Sequence, residues 1–176
     1  MNATPNVAVV PEDAFAICVG LIVLVGAWEW IRLSGFVNQL LKRALLVIFG
    51  GVLIWSYLLP NADIPMILGI GCAFWFGAAL MVMMYPRTKQ RVDGKFIKLG
   101  FGLLVLIPAY AALLYLRRHE AHLLLTALLV TSIWAADVGA YFVGRQFGTT
   151  KLAPNVSPGK SWEGLLGGVI IALAIG

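Results

Sequence analysis

Charged residues are scarce in this chain of 176 residues. They make up 12% of the sequence, whereas hydrophobic residues make up 61% and the mean hydropathy is +0.91. A soluble domain carries about 25% charged residues, so this composition excludes a soluble protein. Cysteine is also scarce, since Cys18 and Cys72 stand singly within apolar runs. They lack the spacing of metal ligands, and a packing role is expected for both.

Long uncharged runs predict membrane-spanning helices, each of which needs about 20 mostly apolar residues. The runs lack the polar stripe of a surface helix and the alternation of an outer-membrane strand. The predicted fold is therefore all-α, a polytopic integral membrane protein with five transmembrane helices and the start of a sixth. Residues 1–176 are interpreted as a single transmembrane domain. The runs are 14–28, 44–62, 64–85, 99–116, 123–136 with a continuation to 143, and 165–176.

The basic residues predict the orientation, because Lys and Arg in short loops are retained on the cytoplasmic side of a membrane. All of them except Arg117 and Arg118 lie in three loops, at 30–43, 86–98 and 144–164. These loops are predicted to be cytoplasmic, and Glu120 partly offsets the two outward arginines. The net charge of +5 needs no nucleic-acid partner, since basic loops attract the anionic headgroups of a bilayer.

Both ends of the sequence lead us to expect a truncated chain. The sixth apolar run stops at Gly176 without a polar flank or a basic anchor. The first eleven residues lack the basic region and the cleavage pattern of a signal peptide. We therefore expect the natural sequence to extend in both directions.

An acidic residue, Asp137, lies inside the continuation of the fifth apolar run. A carboxylate is costly in hydrocarbon and by default marks a functional site. The alternative is a structural role, in an interhelical hydrogen bond or an ion pair with Arg145 two turns on. Tyr141 is one turn away on the same face. Small residues that permit close helix packing surround this acid, namely Ala136, Gly139, Ala140 and Gly144.

The segment 144–164 is predicted to be a cytoplasmic basic loop shaped by glycine and proline. Ser157, which precedes a proline, suits the N-cap of a helix, and Ser161 is a second candidate cap. With such a cap, Gly159 and Lys160 would lie where free backbone N–H groups and the positive end of a helix meet a phosphate. An anion-binding segment is therefore predicted here.

These residues resemble a known family, the bacterial phosphatidate cytidylyltransferases, also called CDP-diacylglycerol synthases. The likeness to that family's central segment lies in two runs, DxGAYxxGRxFG from Asp137 and KLAPxVSPGKSWEG from Lys151. An earlier segment, WEW from Trp28 followed by LSG from Leu33, is also similar. The resemblance covers nearly the whole chain.

The resemblance implies transfer of a cytidylyl group from CTP to phosphatidate, giving CDP-diacylglycerol and pyrophosphate in phospholipid biosynthesis. It implies Mg²⁺ as the cofactor and the bacterial inner membrane as the location. The family also carries an initial helix and a C-terminal part whose acidic signature looks to supply the main metal ligands. Both are missing from this sequence, so catalysis is expected to need more than these residues.

The expected site is assigned residue by residue on this resemblance. The candidate catalytic residues are Asp137, Lys160 and Glu163, with Asp137 also a candidate metal ligand. Glu163 has a second interpretation, as an acid that complements the helix dipole. The candidate substrate-binding residues are Tyr141, Arg145, Lys151, Ser157, Gly159 and Ser161.

Other functions stay open at this point. A noncatalytic membrane fragment or scaffold fits the missing ends. A transporter component would also carry an intramembrane acid, although transporters usually show repeated halves and this chain has no internal repeat. The expected partners are CTP, phosphatidate and an anionic bilayer, and homodimerisation is left open.

Overall fold

The computed structural model describes residues 11–85, 87 and 93–176. This part of the chain contains six helices and one β-hairpin, so the predicted all-α polytopic membrane fold is confirmed. The first five helices are long and apolar enough to cross a membrane, and the sixth is shorter. The helices are α1 (Glu12–Leu33), α2 (Gln39–Leu58), α3 (Ile64–Met83), α4 (Lys95–Arg117), α5 (His122–Phe147) and α6 (Trp162–Ile175), and the strands are β1 (Lys151–Ala153) and β2 (Ser157–Ser161).

The helices extend beyond the apolar runs into the basic loops predicted around them. In the predicted loop at 30–43, Arg32 lies in the last turn of α1, where its charge complements the helix dipole. Lys42 lies in α2, which begins after an N-cap in which the Asn38 side chain accepts hydrogen bonds from two backbone N–H groups. The connection is therefore much shorter than predicted. Lys89 and Arg91 of the loop at 86–98 lie outside the described residues, as do residues 1–10.

Helices α1 to α4 form one packed group. Its buried centre contains Ile31 from α1, Phe49 from α2 and Leu114 from α4, each no more than 2% exposed. The outward surfaces are apolar as well, and Phe76 on α3 is 77% exposed. Large exposed apolar side chains on spanning helices are the surface that contacts lipid, so the burial pattern fits the hydropathy.

Arg118 ties three helices of this group together at one end. Its guanidinium pairs with Glu12 at 2.7 Å, and it donates hydrogen bonds to the side chain of Asn61 and the backbone oxygen of Tyr57 at 2.9 and 2.8 Å. The Arg118 side chain is only 16% exposed. The acid that pairs with this arginine is therefore Glu12 in the structure, whereas the sequence had indicated Glu120.

Helices α5 and α6 pack mainly against each other, as an antiparallel pair. A Cβ atom added at Gly168 would lie 2.7 Å from the backbone oxygen of Ala136, and one at Gly164 would lie 2.9 Å from that of Ala140. Both distances are too short for any side chain, so the two backbones approach each other directly. The small residues around Asp137 thus have the close-packing role that the sequence predicted.

Candidate functional site

A β-hairpin connects α5 to α6, within the segment predicted as a basic loop shaped by glycine and proline. Residues 144–147 continue α5, and the two antiparallel strands pair Lys151 with Ser161 and Ala153 with Ser157. The turn is closed by a hydrogen bond from the Val156 N–H to the Ala153 oxygen at 3.1 Å. Residues 144–147 of the predicted loop therefore belong to α5, and its middle forms the hairpin. The Pro-Asn pair in this turn is the sequence signal that could have revealed it.

The second strand contains a bulge. Three residues separate Ser157 from Ser161 on β2, whereas only Leu152 separates their partners on β1. A bulge of this kind re-aims side chains and is common beside active sites. Gly159 and Lys160 lie within the bulge. Local strand geometry, rather than a helix N-terminus, therefore sets their direction.

Ser161 is the N-cap of α6, so the second of the two caps considered from the sequence is correct and Ser157 is not a cap. The Ser161 hydroxyl accepts a hydrogen bond from the Gly164 N–H at 3.2 Å, and the residue is 5% exposed. Gly148 has an ordinary φ of −72°, and its lack of a side chain matters for space. A Cβ there would lie 2.6 Å from the Ser161 hydroxyl.

Glu163, in the first turn of α6, binds back to the end of α5. Its carboxylate accepts hydrogen bonds from the Thr149 hydroxyl at 2.8 Å and from the Thr150 N–H at 3.1 Å. Its own backbone N–H and these threonine donors stabilise the ionised form and lower its pKa to about 2. The two threonines were missed from the sequence, because only the hairpin brings them to this glutamate.

A cavity of about 790 Å³ lies between α5, α6 and the hairpin. Seven of the nine predicted site residues line it, and Lys151 and Glu163 do not. Lys151 is exposed at the start of β1. The seven that the fold brings together are Asp137, Tyr141, Arg145, Ser157, Gly159, Lys160 and Ser161.

The cavity has a polar end and an apolar end. The hairpin and the end of α5 contribute cations, hydroxyls and backbone groups. Apart from Asp137, the rest of the wall is apolar, and it includes Leu165, Val169 and Leu173 of α6. A cavity with this division can hold an anionic group at one end and a hydrocarbon group along the other.

The two charged residues of α5 do not pair with each other. Arg145 donates a hydrogen bond to the Tyr141 hydroxyl at 2.9 Å, and its guanidinium lies 6.0 Å from the centre of the Tyr141 ring. Asp137 is exposed to the cavity and forms no ion pair within residues 11–85, 87 and 93–176. The ion pair with Arg145, one form of the structural alternative for Asp137, is therefore not formed. The carboxylate remains available to a ligand.

The described residues contain no cluster of three or more His, Cys, Asp or Glu side chains that could hold a metal ion by themselves. Magnesium is commonly bound through one or two carboxylates together with substrate phosphates and waters. Asp137 fits such a shared site as a single acid in the cavity. Glu163 fits less well, since its carboxylate is engaged by the threonines.

Fold and site together define a class, a polytopic α-helical membrane protein with a cationic hairpin beside an intramembrane acid. The sequence model of the Cytidylyltransferase family matches residues 5–176. The chain belongs to this family.

Several curated relatives have similar sequences. A phosphatidate cytidylyltransferase of Pseudomonas aeruginosa is 41% identical over 156 residues, which cover 88% of this chain and 57% of the relative. The Haemophilus influenzae protein of the same name is 38% identical over 179 residues, covering 92% of this chain and 62% of the relative. The chain thus spans about six-tenths of the length of these relatives. No solved structure matches the chain.

Proposed function

We propose that this chain is part of a phosphatidate cytidylyltransferase, which transfers a cytidylyl group from CTP to phosphatidate and releases pyrophosphate. One observation carries the proposal. In a member of the cytidylyltransferase family, Lys160 of the hairpin, Arg145 at the end of α5 and the membrane-embedded Asp137 line the same cavity, and most of its remaining wall is apolar. A reaction between a soluble nucleotide and a membrane lipid needs a site that can bind both.

The charges of the substrates define what the residues must do. The phosphate of phosphatidate is already an anionic nucleophile, so the reaction needs little general-base catalysis. The difficulty is to bring two anionic groups together and to stabilise charge on the leaving pyrophosphate. Lys160 and Arg145 lie at the polar end of the cavity. In the proposed mechanism these two side chains bind the phosphates, and the backbone of the bulge orients Lys160.

Mg²⁺ is the proposed cofactor. When bound, it would neutralise phosphate charge and polarise the phosphoryl group under attack. Asp137 would be the ligand from this part of the chain. The apolar wall formed by α6 would accommodate lipid and exclude water from the polar end.

The proposed location is the bacterial inner membrane, with the hairpin on the cytoplasmic side, where CTP is found. The basic residues near the hairpin and near the α1–α2 connection support this orientation. Single cysteines at Gly159 and Asn61 in a cysteine-free background would test it. A membrane-impermeant thiol reagent applied to intact spheroplasts should label the cysteine at 61 and leave that at 159 unlabelled. The reverse pattern would contradict the orientation.

Nucleotide protection tests the function in the full-length protein that contains this segment. Increasing CTP should protect the hairpin from proteolysis in a saturable way, and added phosphatidate should yield CDP-diacylglycerol. ATP is the control nucleotide. A folded protein without CTP protection or product would refute the proposal and leave the scaffold or transporter interpretation. Homodimerisation stays a prediction, to be checked by light scattering in detergent.

A further inference from the structure

Glu163 has the wrong position for direct chemistry. It does not line the cavity, although its neighbours Ser161 and Gly164 do. Its carboxylate is turned toward the connection between α5 and β1, where it accepts hydrogen bonds from Thr149 and Thr150. A side chain held in this way is better placed to fix the backbone than to contact a substrate.

Hydrogen bonds involving Glu163 and Trp162 together close the base of the hairpin. The Thr150 N–H is bound by the Glu163 carboxylate, and the Thr150 oxygen accepts a hydrogen bond from the Trp162 N–H at 3.0 Å. Thr150, at the end of the connection from α5 to β1, is thus hydrogen-bonded to Trp162 and Glu163, the first two residues of α6. We call Thr149, Thr150 and Glu163 the hairpin clamp.

The position of Lys160 depends on the base of the hairpin. It lies in the bulge of β2, three residues before Glu163, and the pairing of Lys151 with Ser161 joins the bulge to the clamped connection. The bulge itself has fewer strand hydrogen bonds than a regular ladder, so its ends must be fixed for its side chains to have a defined direction.

We propose that the hairpin clamp is a positioning device, in which Thr149 and Glu163 hold Lys160 at the polar end of the cavity without touching substrate. The part of this inference that concerns activity rests on the proposed function. The clamp itself is a statement about structure and can be tested separately.

Loss of the clamp has a distinctive kinetic signature. If only a fraction of molecules holds the hairpin in place, the apparent affinity for CTP falls by that fraction, and saturating CTP restores the competent state. KM for CTP should therefore rise while kcat is largely retained. A substitution that merely unfolds part of the protein would lower kcat in proportion and leave KM unchanged.

The experiment compares variants of the full-length protein in nanodiscs. T149V and E163A remove clamp hydrogen bonds, whereas T149S keeps the hydroxyl. T131V is the matched control, because it makes the same substitution within α5, where the Thr131 hydroxyl bonds to backbone oxygens of that helix. The first readout is amide hydrogen exchange in residues 149–161, and the second is the kinetics with CTP.

Amide exchange in the hairpin should rise about 10-fold in T149V and about 100-fold in E163A, as expected for losing one or several hydrogen bonds to a charged group. T149S and T131V should resemble the wild type, and KM for CTP should rise in parallel with exchange. Unchanged exchange in E163A would refute the clamp. Faster exchange with an unchanged KM would refute its positioning role. A wild-type protein without CTP turnover would instead refute the proposed function, while the exchange data still decide whether the clamp exists.

Discussion

Replacing Lys160 with alanine should lower kcat/KM for CTP by about 100- to 1,000-fold. Lys160 is the one lysine among the described residues that line the cavity, and it lies in a bulge whose ends are fixed. Removing a preorganised donor that faces developing charge costs about 2.7–4 kcal/mol, which corresponds to this loss in rate. The side chain is exposed, so the free energy of unfolding should change by no more than about 0.5 kcal/mol.

Lys151 provides the matched control. It lies on the same hairpin and is equally exposed, but it does not line the cavity. K151A should therefore change kcat/KM by less than about threefold. The assay is release of pyrophosphate in mixed micelles of phosphatidate, at several CTP concentrations, with thermal unfolding of each variant measured alongside. Equal losses in the two variants would show that general positive charge, rather than the placement of Lys160, is what matters. Near-normal activity of K160A would refute the assignment.

Three further predictions concern stability. G168A should lower the free energy of unfolding by about 1–3 kcal/mol in detergent melts, because its Cβ would meet a backbone oxygen 2.7 Å away, whereas G77A, with open space around it, should not. R118A should destabilise the protein by about 1–3 kcal/mol, since the Arg118 side chain is 16% exposed and its loss leaves the backbone oxygen of Tyr57 and the half-exposed Glu12 carboxylate without this partner. Acid should loosen the hairpin. The pKa of Glu163 is lowered from 4.5 to about 2. The stability that this carboxylate contributes is therefore complete above pH 4.5 and is lost as the pH falls toward 2. Pepsin cleavage at 149–161 should increase over that interval in the wild type and not in E163Q.

The membrane fold followed from hydropathy alone, since the apolar runs are long and separated by charged residues. Helix ends were placed less well. Arg145, for example, belongs to α5 although its charge argued for a loop. A helix continues through polar residues when its backbone remains satisfied and its last turn carries a favourable cation, and hydropathy does not register either condition.

The membership of the site was largely predictable, and its geometry was not. Seven candidates line one cavity, but nothing in the amino-acid sequence separates Lys160 from Lys151 or assigns Glu163 to threonine partners thirteen and fourteen residues away. Both distinctions depend on a hairpin with a bulge. Strand propensity is low in a segment that contains prolines and glycines, so the pairing of β1 with β2 depends on the hairpin clamp.

The residues that line the cavity all come from α5, the hairpin and α6, and this has a genetic consequence. Helices α1 to α4 contribute no lining residue to it among those described. Missense variation should therefore separate into two phenotypes. Changes in the four-helix group should reduce the amount of protein that reaches the membrane while each surviving molecule works normally, and suppressors that raise expression should rescue them. Changes at exposed polar residues that line the cavity, such as Lys160, should leave abundance intact and resist such suppression.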